Sequence, residues 1–93
     1  MSNPAIIAMP DVVTMHVASG VLQALSSSLA LQTDAVATVD AHALQTFDSS
    51  AVAVLLELKR ELAQGGRTLE VVNLPPKLKA LVALYGVSEM LPA

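Results

Sequence analysis

Ninety-three residues at 9.6 kDa leave room for one small core and no linker, so a single domain spanning residues 1–93 is expected. Hydrophobic residues make up 54% of the chain and charged residues 14%, which excludes the polar, highly charged make-up of a disordered segment. A net charge of −3 with five Lys or Arg lacks the basic footprint of a phosphate-backbone binder, and the absence of cysteine excludes a disulfide framework, a zinc ribbon and thiol chemistry.

Asp, Glu, Lys, Gln or Ser interrupts every apolar stretch before it reaches the roughly 18 residues needed to cross a bilayer, so direct membrane insertion is not expected. The start, Met1 to Pro10, has no basic cluster and no small-residue cleavage site, which leads to the expectation of a cytoplasmic protein. One Tyr, one Phe and no Trp offer little surface for stacking bases or sugars, a second argument against nucleic acid as a partner.

In chain order, residues 5–9 read as an additional strand, and residues 11–17, Asp-Val-Val-Thr-Met-His-Val, mix β-branched and apolar side chains after Pro10 as a strand does. Helical spacing begins at Ser19: Val21, Leu22, Leu25 and Leu29 lie about one turn apart, giving a helix over 19–30. Thr33-Asp34 forms a turn before Ala35-Val36-Ala37-Thr38-Val39, a short apolar run that suits a buried strand ending at Asp40. Residues 40–47 show no clear period and read as a loop, the kind of segment on which functional residues often sit.

The longest amphipathic segment follows Asp48-Ser49-Ser50. Ala51, Val54, Leu55, Leu58 and Leu62 share one face, and Glu57, Arg60, Glu61 and Gln64 the other. Gly65-Gly66 stops this helix, because glycine takes the left-handed conformation a helix end needs. Thr68–Val72 reads as another strand. Asn73-Leu74-Pro75-Pro76 then opens a last helix, with Leu78, Leu81, Val82 and Tyr85 at i, i+3, i+4 and i+7 up to Gly86. The alternation of strand and helix predicts an α/β domain: a central mixed sheet of about four strands flanked by three to four helices.

Asp48-Ser49-Ser50 is the feature with chemical content. Its carboxylate and hydroxyls can accept hydrogen bonds from the unpaired N–H groups of the helix's first turn. The same position also suits a modifiable or contact-making hydroxyl, since a phosphate there would face the positive end of the helix dipole. Other candidates carry less. His16 and His42 have no cysteine or close carboxylate pair at metal-ligand spacing, so neither a metal nor another cofactor is expected. His16 reads as a strand side chain and His42 as an exposed loop residue. A nucleophilic set of Ser50, His42 and Asp40 can be named, but the Gly-x-Ser-x-Gly elbow that would expose the serine is missing. Gly65-Gly66-Arg67 follows a helix, whereas a phosphate cradle precedes one. Lys77 and Lys79 read as a solvated face, or as a contact for an acidic partner.

The order of elements and the stretch Phe47-Asp48-Ser49-Ser50-Ala51-Val52-Ala53-Val54-Leu55-Leu56 resemble the STAS family, the domain of anti-sigma factor antagonists and of sulfate transporter tails. The resemblance covers nearly the whole chain. In that family an Asp-Ser-Ser-Gly-Leu type motif opens the second helix, and in the antagonists its second serine is the phosphoacceptor. The resemblance therefore implies Ser50 as the phosphorylation candidate, with Ser49 beside it. Ala51 stands where the family usually has glycine.

The carboxy-terminal stretch Val72-Asn73-Leu74-Pro75, then Leu81 to Tyr85-Gly86-Val87 and Met90-Leu91-Pro92, is similar to one branch of the family, the small cytoplasmic STAS subunit of the Mla-type phospholipid ABC transporter. What this implies is a non-enzymatic regulatory subunit that docks on the transporter's ATPase through Asp48, Ser49, Ser50 and Ala51. Such a subunit would be cytoplasmic and held at the inner membrane through the transporter complex. The alternative implied by the wider family is an anti-sigma factor antagonist switched by an anti-sigma kinase at the same motif.

Overall fold

The computed structural model describes residues 6–86. In chain order the elements are β1 (Ile6–Ala8), β2 (Val12–Val13), α1 (Ala18–Ala30), β3 (Val36–Asp40), β4 (Thr46–Phe47), α2 (Ser50–Gln64), β5 (Thr68–Val72) and α3 (Pro76–Leu84). The expected α/β architecture is present. Where a mixed sheet is expected, the described residues form a three-stranded sheet of order β1-β3-β5 and a two-stranded pair β2-β4, every pairing among them parallel. Helices explain the direction. Within the larger sheet α1 intervenes between β1 and β3 and α2 between β3 and β5, and a helical crossover returns the chain so that successive strands run the same way.

The core lies between the larger sheet and its helices. Ile7, Val39 and Val71 stand side by side across the three strands, and Val39 and Val71 are buried. Against them α2 presents Ala51, Val54, Leu55, Leu58 and Leu62, all buried, at the helical spacing read from the sequence. Leu25 and Leu29 of α1 and Leu78 and Val82 of α3 complete the layer. Met9, Val13 and Leu44 belong to the same buried cluster.

Three boundaries depart from the expectation. The strand over 11–17 shrinks to Val12–Val13, because the backbone N–H of Met15 is drawn to the Asp48 carboxylate (3.0 Å) and the Thr14 carbonyl accepts the Val17 N–H (3.0 Å). The chain therefore turns at 15–17, and His16 sits in that turn, exposed, instead of in a strand. The loop over 40–47 contains a two-residue strand, β4, held by β2. The last helix begins at Pro76, since Asn73 has a left-handed φ of 58° and Pro75 is extended, as a residue before proline must be. Of the residues quoted above, Val87 and Met90-Leu91-Pro92 lie outside the described part, as does Ala5.

Candidate functional site

The geometry of the motif follows from the place where β4 ends. Asp48 comes directly after β4, and its N–H reaches back to the Val13 carbonyl (3.3 Å), so the residue is fixed against the end of β2. Its carboxylate then accepts two backbone N–H groups from two different elements. Oδ1 takes that of Ser50 at 2.8 Å, and Oδ2 takes that of Met15 at 3.0 Å. Asp48 thus ties the 15–17 turn, which leads into α1, to the first turn of α2.

These bonds stabilise the charged form. The Asp48 carboxyl is held below its ordinary value first by the Met15 N–H and next by that of Ser50; partial burial opposes them, and the Ser50 side chain adds a smaller pull in the same direction. Capping falls to the aspartate. Ser49 occupies the N-cap position with helical dihedrals and no side-chain cap bond, so the serines do not perform the capping their position suggests. The Asp48 carbonyl accepts the Ala51 N–H and the Ser49 carbonyl that of Ala53.

Ser49 is exposed, and Asp48 and Ser50 are half-buried. Ala51 is fully buried beneath them, so its methyl group supports the motif from the core side. Beside Ser50 a shallow groove of about 320 Å³ runs between α1 and α2, lined by Ser19, Leu22, Ala53, Val54 and Glu57. Glu57 is held below its ordinary value by the Arg60 guanidinium one turn on. Two large apolar side chains stand in solvent at the edge of the motif: Met15 is 70% exposed and Val17 is 40% exposed. Val17 also forms part of a wider apolar groove of about 740 Å³ along β1 and α1, with Ile7, His16, Val21 and Leu25 among the lining residues.

The other candidates separate from the motif. Asp40 Oδ1 accepts the His42 N–H (2.9 Å) and the Asn73 side-chain amide (3.2 Å), which hold its carboxyl below the ordinary value in that order of importance. The His42 ring lies 3.7 Å from the same oxygen and is 72% exposed, as the loop reading expects. This Asp-His pair is joined to Asn73, just after β5, whereas the backbone N–H of Ser50 is bonded to Asp48. Among the described residues no cluster of three metal-ligating side chains occurs. Lys77 and Lys79 are exposed on the first turns of α3.

Gly65 and Gly66 end α2 as expected, Gly66 with a φ of 74°. Arg67 has a role that the sequence does not announce. Its Nε donates to the Asp34 carbonyl (2.7 Å) and its Nη1 to the Leu29 carbonyl (2.8 Å), so the guanidinium closes the carboxyl end of α1, where positive charge is favoured. Nearby, the Ser26 hydroxyl donates to Glu61 (2.7 Å), linking α1 to α2.

The described residues thus form parallel strands backed by helices, with the Asp-Ser-Ser motif where the second helix starts and Ser49 exposed. The chain belongs to the STAS domain family: the family model described as "Mlab, STAS domain" matches residues 2–92. It is also similar to the solved structure of the anti-sigma factor antagonist SpoIIAA in its unphosphorylated form, with a TM-score of 0.73 at 17% identity, over 98% of this chain and 81% of that one. At that identity the likeness shows the shared fold. No curated protein matches the chain.

Proposed function

We propose that this STAS domain is a non-enzymatic interaction and regulatory subunit that binds the ATPase of an Mla-type envelope phospholipid ABC transporter through the start of α2. The observation that carries the reading is the surface around Asp48, Ser49 and Ser50. A small exposed hydroxyl allows close approach of a partner backbone, the Asp48 clasp holds the helix start rigid, and Met15 and Val17 supply apolar area beside it. The description of the matching family model supports the transporter branch. No helix among the described residues is long and apolar enough to cross a membrane, and on this reading the domain reaches the inner membrane from the cytoplasm, through its partner.

The second reading, an anti-sigma factor antagonist, draws on the fold shared with SpoIIAA and on the position of Ser50. A phosphate there adds about two negative charges beside a carboxylate that is already ionised, and the resulting repulsion and desolvation cost act as an off switch on docking. Affinity purification of the tagged protein from its native cells separates the two. Co-purification of an ABC ATPase with an unmodified 49–50 peptide supports the transporter subunit. An ATP-binding anti-sigma kinase together with phosphate on Ser50 supports the antagonist and overturns the first reading.

A further inference from the structure

The two N–H groups taken by Asp48 belong to different elements, and a surface that depends on both has to include both. We propose that Asp48 is a positioning residue: by clasping the 15–17 turn to the start of α2 it creates one composite docking surface, whose second half is Met15 and Val17. This inference rests on the reading that the start of α2 faces a protein partner, and it specifies that partner's chemistry. Met15 and Val17 call for an apolar side chain opposite them. Asp11, exposed, lies just before β2, the strand that leads into the turn, and Asp48 lies at the clasp itself.

Both are carboxylates, whereas Glu57, in the groove beside Ser50, is matched by Arg60. The occupant is therefore a partner-protein surface with an apolar knob rimmed by Lys or Arg. Basic side chains beside exposed carboxylates accelerate docking and make it salt-sensitive. The clasp itself needs two acceptors on one side chain. A carboxylate has them, whereas an asparagine amide has one acceptor oxygen and an NH₂ that would meet an N–H donor head-on. Since asparagine caps helix starts as well as aspartate does, Asp48→Asn keeps the Ser50 bond and releases the turn.

The test uses the purified ABC ATPase subunit from the same organism, titrated with the wild-type domain and with Met15→Glu, Asp48→Asn and Ser50→Asp, alongside amide hydrogen exchange on the free domain. The expected results are an affinity at least about tenfold weaker for Met15→Glu with its melting temperature unchanged, and a clear loss for Asp48→Asn, in which the Met15 amide exchanges faster while the Ser50 amide stays protected. Wild-type affinity should also fall as salt rises.

Unchanged affinity in Met15→Glu overturns the composite surface, and so does a Met15→Glu effect confined to self-association of the domain. Unchanged affinity in an Asp48→Asn protein whose Met15 amide has been released overturns the positioning role. If Ser50→Asp abolishes binding while Met15→Glu does not, this inference fails and the reading of α2 stands. If none of the three weakens binding, that reading fails as well.

Discussion

Replacing Arg67 with methionine keeps most of the side chain's length and removes the fork that joins the end of α1 to the turn before β3. Two hydrogen bonds are lost, to the carbonyls of Leu29 and Asp34. A bond involving a charged partner contributes about 1.5–3 kcal/mol, so complete loss in a dry site would cost about 3–6 kcal/mol. Two facts reduce this. Arg67 is only half-buried, so water can reach the abandoned carbonyls, and its Nη2 is buried with no hydrogen-bond partner among the described residues, a cost that methionine removes. The expected destabilisation is about 2–3 kcal/mol.

For a chain of this length each 1 kcal/mol moves the melting temperature by about 4–8 °C, so Arg67→Met should melt roughly 8 °C or more below the wild type. Arg67→Lys should recover less than half of that, because a single ammonium does not reproduce the planar fork that serves two carbonyls at once. Circular dichroism melts, with urea unfolding for the free energy, provide the measurement. A melting temperature for Arg67→Met within about 2 °C of the wild type would refute the reasoning that this guanidinium holds the end of α1.

Leu55 lies in the middle of α2 with no exposed surface, and Leu55→Ala should cost about 2–5 kcal/mol in urea unfolding while leaving partner affinity per folded molecule unchanged. Ser50→Asp places a second carboxylate against Asp48; it should remain folded by circular dichroism, and an unfolded variant would contradict the placement of Ser50 at the surface. Acid dependence follows from Asp48 and Asp40, whose carboxyls are held below the ordinary value of 3.8 in the folded chain. A depressed folded value favours folding above the unfolded value and loses that contribution as pH falls through the folded one. Urea midpoints of the wild type should therefore drop below about pH 4 more steeply than those of an Asp48→Asn, Asp40→Asn double variant.

The parts of the fold that were legible in the sequence are those written in local periodicity. The face of α2 formed by Ala51, Val54, Leu55, Leu58 and Leu62 shows a period of 3.6, and the glycine stop and the proline start are local chemistry, so α2, β5 and α3 fall close to where they are expected. Contacts between distant residues leave no such mark. Asp48 bonds to Met15, 33 positions away, and Arg67 bonds to Leu29 across 38. The first of these contacts cuts a seven-residue strand to two residues.

For the same reason the motif's chemistry was only half readable. Three hydrogen-bonding side chains at a helix start signal a cap, but only the path of β2 beside β4 decides that the aspartate does the capping and leaves Ser49 exposed. Ala51 illustrates the opposite limit: it follows Ser50 in sequence, yet the helical turn carries it into the core. The parallel direction of the strands could have been inferred, since a helix separates the strands on either side of each crossover.

The central proposal is that the start of α2 docks on the ATPase of an ABC transporter, and a photoactivatable cross-linking side chain at exposed position 49, irradiated in native cells, tests it most directly. The account predicts a covalent adduct with the ABC ATPase subunit at position 49 and none when the same group stands at Ala63, exposed near the far end of the helix. Equal cross-linking from both positions, or an adduct at position 49 with an anti-sigma kinase instead, would contradict it.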